Sequence, residues 1–211
     1  MDENKSILSI RKKLTKHSKL FSNKEKIRYL LNKNNGYLTT KEITKNKISR
    51  DYLTWLVDYG EIINVARGIY IDRKVKEDTY YTFQLRFPKT IFSHMSALSL
   101  YGLTSYPEII QATCINNVFS NDFKKYDIFY VKKEWYELGA TEIIDKMGFS
   151  IKVYDLERSI CDIIRSHSRL NESEVKKIIK KYLNLENKNI DALFSYADQM
   201  EIGKEVIKFL K

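Results

Sequence analysis

Residues Ile62 to Asp72 read IINVARGIYID, two short apolar runs that meet across Arg67-Gly68. A two-residue connection between β-branched and aromatic runs leaves room only for an antiparallel hairpin, and Gly68 supplies the backbone freedom of its turn. Arg67 is then held at the tip. It is either a plain surface residue or a group placed to grip something charged.

What precedes the hairpin narrows the choice. Ser22 and Glu25 have capping-box spacing, and Ile27, Leu30 and Leu31 recur at helical spacing up to Asn35-Gly36. Tyr37-Leu38 is expected to be briefly extended. Thr39 and Glu42 form a second capping-box pair, opening a helix of about two turns. Asn46-Lys47 makes a turn, and Ser49 is expected to cap a third helix with Asp51 in its first turn. Leu53, Leu56 and Val57 give that helix its inward stripe, and Gly60 ends it before the hairpin. Helix, strand, helix, turn, helix and hairpin in this order predict a winged helix-turn-helix over residues 1–75.

Charge points the same way. Residues 1–75 carry 17 Lys and Arg against 8 Asp and Glu, whereas residues 76–211 hold 20 against 19, so nearly all of the net +10 lies in the first third. A concentrated basic segment attracts polyanions, nucleic acid above all. With Leu53, Leu56 and Val57 inward, Arg50, Asp51, Thr54 and Asp58 face outward, with Trp55 at the edge. Arg50 and Thr54 are placed to reach base edges, with Ser49 at the helix start. Lys41, Lys45, Lys47 and the hairpin Arg67 suit phosphate contacts. A solvated helix face accounts for each of these side chains singly. The basic stretch from Arg11 to Leu20 is either a DNA-tracking arm or an amphipathic helix packed through Ile7, Ile10, Leu14 and Leu20.

The polar stretch from Asp72 to Thr79 marks the expected division, and residues 76–211 read as a mixed α+β domain ending in two or three helices. Ser93 to Tyr101 predicts a helix stopped by Gly102. The segments IIQATCI, IFYVK and FSIKVY predict strands. Asp155 is expected to cap a helix with Leu156, Ile160, Ile163 and Ile164 inward and Arg158 and Asp162 paired on its other side. That pair is either an ordinary surface ion pair or part of a functional polar patch. In NESEVKKIIKKYL, Val175, Ile178, Ile179, Tyr182 and Leu183 line one side. Lys176, Lys177, Lys180 and Lys181 line the other, as a hydrated face or a contact for an acidic partner or nucleic acid.

Segments along most of the chain resemble a known family. GYLTTKEITKNKISRDYLTWLVDYGEIINVARGIY is similar to the N-terminal domain of AbiEi-type antitoxins, regulators of type IV, abortive-infection toxin–antitoxin systems. FSHMSALSLYGLT (Phe92 to Thr104) and VYDLERSICDIIR (Val153 to Arg165) resemble the two recurring signatures of that family's second domain. The resemblance implies an α+β protein in which a winged helix represses the operon and a C-terminal antitoxin domain counteracts a nucleotidyltransferase-like toxin without a tight complex. It implies operator DNA as partner; the sequence leaves open whether a monomer or a weak dimer binds on paired sites. Lys47, Arg50, Thr54 and Arg67 are implied to carry DNA binding. Arg158, Asp162, Lys177 and Lys181 are the candidates for antitoxicity.

Catalysis is not expected. His17, His94 and His167 are scattered, with no metal-ligand spacing, glycine-rich phosphate loop or nucleophile elbow. No cofactor or metal is anticipated, and His94 is expected at a helix start rather than as a base. A restriction-type nuclease remains as an alternative, with Asp127 and Lys152 aligned loosely and no intervening acid. Direct binding of the toxin is another. Cys114 and Cys161 lack partners, the start is not signal-like, and no run is long enough to cross a bilayer, so a reducing, cytoplasmic setting without a membrane partner is expected.

Overall fold

The computed structural model describes residues 23–115 and 121–211 and divides into two compact units, Met1–Arg86 and Phe87–Lys211. The expected cap at Ser22 and the basic stretch from Arg11 to Leu20, with Ile7, Ile10, Leu14 and His17, lie outside the described residues.

In the first unit, helix α1 covers residues 23–33. β1 (Tyr37–Thr39), α2 (Thr40–Lys45), α3 (Asp51–Asp58), β2 (Ile62–Ala66), β3 (Ile69–Asp72) and α4 (Thr79–Arg86) follow. The strands form one antiparallel sheet in the order β1-β3-β2. Local chemistry explains the boundaries. Thr39 and Glu42 cap α2 reciprocally. At its other end the Lys47 amide donates to the Thr44 carbonyl and the Ile48 amide to the Ile43 carbonyl, with Lys47 at φ 56°. This is a Schellman turn with a lysine in the left-handed position, which buries Ile43 and Ile48 together. Ile27, Leu30, Leu31, Leu38, Ile43, Ile48, Leu53, Leu56 and Ile62 form the core.

α4 extends this unit past the division expected near residue 75, because TYYTFQLR packs onto the strands before it. The Tyr37 hydroxyl, itself in the sheet, accepts from the Asp78 amide at 2.7 Å, and the Tyr37 and Tyr81 rings meet edge to face at 4.9 Å. Charge composition shifts at residue 75; packing does not.

In the second unit, β4 (Ile91–Phe92), α5 (His94–Leu100), β5 (Gln111–Ile115), β6 (Asp127–Val131) and α6 (Lys133–Tyr136) come first, with a short 3₁₀ turn at Asn121–Lys125 before β6. β7 (Ala140–Ile144), β8 (Ser150–Tyr154), α7 (Leu156–Arg165), α8 (Glu172–Leu183), α9 (Ile190–Gln199) and α10 (Gly203–Leu210) complete it. The five-stranded mixed sheet runs β6-β5-β4-β8-β7. β4 lies parallel to β8, with Phe92 opposite Val153, and α5 packs on α7. Two strand–helix units are thereby set side by side, and they are the two segments singled out as signatures above. The α+β class holds throughout.

Gly36 illustrates how tightly the first unit closes. It sits at φ +88°, and a Cβ there would lie 2.5 Å from Val75 Cγ2. Gly36→Ala is expected to lower stability by on the order of 2 kcal/mol or more, combining left-handed strain with overpacking. Urea unfolding checks this, and a midpoint equal to the native one would mean that Val75 moves aside freely.

Candidate functional site

The outward face of the first unit gathers most of the expected contact residues. Arg50, Asp51, Thr54 and Asp58 are exposed on α3 while Leu53 and Leu56 are buried, as the helical spacing requires. Lys41, Lys45 and Lys47 are exposed along α2 and its turn, and Arg67 is exposed at the hairpin tip. The tip is anchored: the Thr40 amide donates to the Gly68 carbonyl at 2.9 Å, and a Cβ on Gly68 would lie 2.7 Å from Thr40 Oγ1. Asn64 closes the turn from inside, its Nδ2 donating to the Ala66 and Ile69 carbonyls. Arg67 is therefore carried on a fixed turn next to the start of α2, within the same sheet–helix frame as Lys41.

The Ser49 cap on α3 is loose. Arg50, just before Asp51, is already in helical conformation and has no capping side chain. Ser49 Oγ accepts from the Asp51 amide at a long 3.4 Å and donates to Asp51 Oδ2 at 2.9 Å. The first-turn carboxylate thus takes the stronger of its two hydrogen bonds. This engages one of the two acidic groups on the outward face. Arg50 Nη2 reaches Thr44 Oγ1 at 3.5 Å, a loose contact that leaves the guanidinium at the surface. On the flank, the Trp55 and Tyr59 rings pack at a tilt, 4.4 Å apart, and the Lys24 ammonium lies 5.4 Å from the Trp55 ring while pairing with Glu61.

In the second unit the Arg158–Asp162 pair is not on the surface. Both side chains are fully buried, with Nε to Oδ1 at 3.3 Å. The polar side of α7 faces inward because α5, α8, α9 and α10 pack around the helix and Trp135 of α6 and Tyr154 of β8 meet it at Arg158. Arg158 Nη1 donates to the Trp135 and Leu138 carbonyls, both at 2.6 Å, and the guanidinium lies 4.1 Å from the Tyr154 ring. Gly139 makes this approach possible, since a Cβ on it would stand 2.6 Å from Arg158 Cβ. Asp155 caps α7 through the Arg158 amide, as expected, and also accepts from the Tyr196 hydroxyl.

His94 begins α5 with φ +51° and no exposed surface. Its Nδ1 contacts Ser93 Oγ at 2.9 Å, its Nε2 contacts Ser166 Oγ at 3.0 Å, and Thr113 Oγ1 donates to Ser93 Oγ at 2.9 Å. The ring stacks on Phe129 at 3.5 Å, and the Arg169 guanidinium lies 4.4 Å from Phe129. His94 stands at a helix start as expected, but no sequence signal marked the polar chain joining it to Ser166, 72 residues away. Burial, reinforced by Arg165, Arg158 and Arg169, holds the His94 pKa well below its ordinary value. Burial raises Asp162 against the opposing pull of Arg158 and Arg165. It also pushes the Cys161 thiol up to about 12.

The lysine face of α8 is partly engaged. Lys176 pairs with Glu172 at 2.7 Å, and Lys181 donates to the Leu103 carbonyl at 2.9 Å, while Lys177 is exposed. The four expected antitoxicity residues thus fall into a buried pair and two positions on α8. Among the described residues no group of three or more His, Cys, Asp or Glu is arranged to hold a metal, and no helix is long and apolar enough to cross a membrane.

No family model matches the chain, and no curated protein does. Among solved structures it is similar to the Rv2827c protein of Mycobacterium tuberculosis, with a TM-score of 0.43 and 10% identity over 83% of this chain and 75% of that one.

Two outcomes are expected. Asp162→Ala leaves the Arg158 charge buried beside an empty site and lowers stability by roughly 3–5 kcal/mol, whereas Arg158→Met with Asp162→Leu costs much less. Equal losses in chemical unfolding would show that the pair is not the determinant. The second concerns pH. The unfolded chain protonates His94 near the ordinary value of about 6.5 and the folded chain does not, so its contribution is present above that value and lost as pH falls. The melting temperature should drop between about pH 7 and pH 5, and less steeply in His94→Asn, whose side chain tolerates the positive φ. Identical slopes in both proteins would remove His94 as the cause.

Proposed function

We propose that this protein is an operator-binding autorepressor and antitoxin of the type IV, abortive-infection class, with a winged helix-turn-helix as its DNA-binding half. The observation that carries the reading is the first unit's topology. Helix, strand, helix, tight turn, helix and hairpin, with sheet order β1-β3-β2, follow the order expected of a winged helix and support the reading. Its third helix turns Arg50 and Thr54 outward.

In this reading α3 enters the major groove, with Arg50 and Thr54 nearest the base edges. Lys41, Lys45, Lys47 and Arg67 neutralise phosphates on either side. Capture of Ser49 by Asp51 supports it, because the carboxylate's hydrogen-bonding capacity is partly satisfied within the protein. Asp58 closes the far end of α3, about a turn from Thr54, where a groove-bound helix leaves the DNA.

The second unit counteracts the toxin. Support comes from the side-by-side packing of the two signature segments, which makes them one structural feature. Lys177 is the exposed candidate on α8, while Arg158 and Asp162 act by holding α7 in place. A restriction-type nuclease gains nothing from the geometry: Asp127 is on β6 and Lys152 on β8, with β5 and β4 between them.

Fluorescence anisotropy with labelled DNA from upstream of the protein's own reading frame tests the proposal. Saturable binding is expected to exceed that to scrambled duplex by at least a hundredfold and to weaken with salt. Equal affinity for both duplexes would overturn it. Arg67→Ala is expected to weaken binding and reduce the magnitude of the salt slope by about 1, for one lost phosphate contact. An unchanged slope would take the hairpin tip out of the interface.

A further inference from the structure

α7 carries Arg158, Asp162 and Arg165 on successive turns of one face, at i, i+4 and i+7, and the 3₁₀ turn that follows (His167–Arg169) adds Arg169. Such an array inside a fold is costly unless its charges are matched. Within it, three guanidinium groups face two carboxylates, Asp162 and the capping Asp155. Arg158 and Arg165 both act on Asp162, and Arg158 also acts on Asp155. The charges acting on the buried His94 are again Arg165, Arg158 and Arg169. The cluster therefore carries about one uncompensated positive charge.

The hydrogen-bonding pattern is also incomplete. Arg158 Nη2 and Arg165 Nε are buried, and neither has a hydrogen-bond partner among the described residues. Arg158 has no exposed surface at all, so its open donor is not facing bulk water. Arg165 is half-buried beside Trp135, 5.7 Å from its ring, and Arg169 is exposed against Phe129. Trp135 joins the array at both ends of α7, since its carbonyl accepts from Arg158. Ser166 and His94 add a hydroxyl and a ring nitrogen alongside, bonded to each other.

We propose that the second unit binds the phosphoryl group of a small phosphorylated ligand at Arg165 and Arg169, with Arg158 behind them and Ser166 alongside. A phosphate monoester is anionic at neutral pH and presents three acceptor oxygens, which suits a net positive cluster with open donors. Guanidinium forks suit that geometry better than single ammonium groups do. A polynucleotide backbone is a poorer match, because the innermost donors are buried and only Arg169 stands at the surface. The half-buried Trp135 ring beside Arg165 fits a ligand whose phosphate is attached to a flat ring system.

The test is calorimetric titration of the full chain with inorganic phosphate, pyrophosphate and a nucleoside monophosphate, against sodium chloride of matched ionic strength. Saturable binding of at least one phosphate probe is expected, weakened tenfold or more in Arg165→Gln/Arg169→Gln. Tighter binding of the monophosphate than of inorganic phosphate identifies a nucleotide-like ligand, and the reverse a free phosphate. No saturable binding beyond chloride would overturn the proposal, as would native affinity in the double variant. If the double variant does not fold, Arg169→Gln decides at an exposed position: at least threefold weakening is expected, and unchanged affinity overturns the site. Arg67→Ala, in the other unit, should bind the probes as the native chain does. Loss of affinity there would place the anion on the basic first unit and overturn this assignment while leaving the operator reading intact.

Discussion

A guanidinium group with no exposed surface organises the second unit. Removing a charge from water costs several kcal/mol, and the cost is recovered only when the geometry around it is dense with acceptors. Arg158 has a carboxylate, two backbone carbonyls and an aromatic face. Those carbonyls belong to Trp135 and Leu138, so α7 and the segment after α6 must stay in register for the charge to be tolerated. Gly139 is required at the next position because no side chain fits against Arg158 there. The same segment accepts from the Tyr154 hydroxyl through Tyr136 and, through Gly139, from the Asp155 amide at the start of α7. One buried cation thus fixes strand β8, the cap of α7 and the chain that crosses them.

That arrangement explains why two segments far apart in the chain act as one. β4 leads into α5 and β8 into α7, with the strands parallel and the helices packed. Parallel neighbours of this kind need both faces covered, which leaves α7 no exposed side on which to place its polar residues. They pair internally instead, and the His94–Ser166 contact continues the polar layer from α7 back to α5. The positive φ of His94 sets the imidazole at the head of α5 facing this layer, at a backbone cost of about 1–2 kcal/mol that a glycine would avoid. Retaining histidine there makes sense only because the ring is bonded at both nitrogens and stacked on Phe129.

The first unit was legible because its signals are local. Thr39 with Glu42, Gly36, Gly60 and Arg67-Gly68 each act within a few residues, and each ends or starts an element where expected. Ser49 shows the limit of such reading, since it accepts from the Asp51 amide only at 3.4 Å while its hydroxyl donates to the Asp51 carboxylate at 2.9 Å. β4 and β7 carried little signal: the first has two residues, and the second, ATEII, is an exposed edge strand with weak alternation. The Arg158–Asp162 pair failed for a deeper reason. Spacing of i, i+4 is the same on an exposed and an enclosed helix, and only the tertiary neighbours of α7 tell them apart. The unit boundary moved for a similar reason, because the Tyr37–Asp78 and Tyr37–Tyr81 contacts that hold α4 span some forty residues.

The two halves use positive charge in opposite ways, and this bears on what each can bind. In the first unit the lysines and arginines of α2, α3 and the hairpin lie at the surface, where any contact to a phosphate is exchanged against salt and contributes modestly. Many weak, screened contacts suit a long polyanion that presents a repeating charge. In the second unit Arg158 is sunk into the fold and Arg165 is half-buried, and there screening is poor and each unmatched donor weighs heavily. Few strong contacts at a fixed place suit a small, discrete anion. The operator and the phosphorylated small molecule proposed above would therefore pose different physical problems for this chain. A change in one charge set is expected to leave the chemistry of the other untouched.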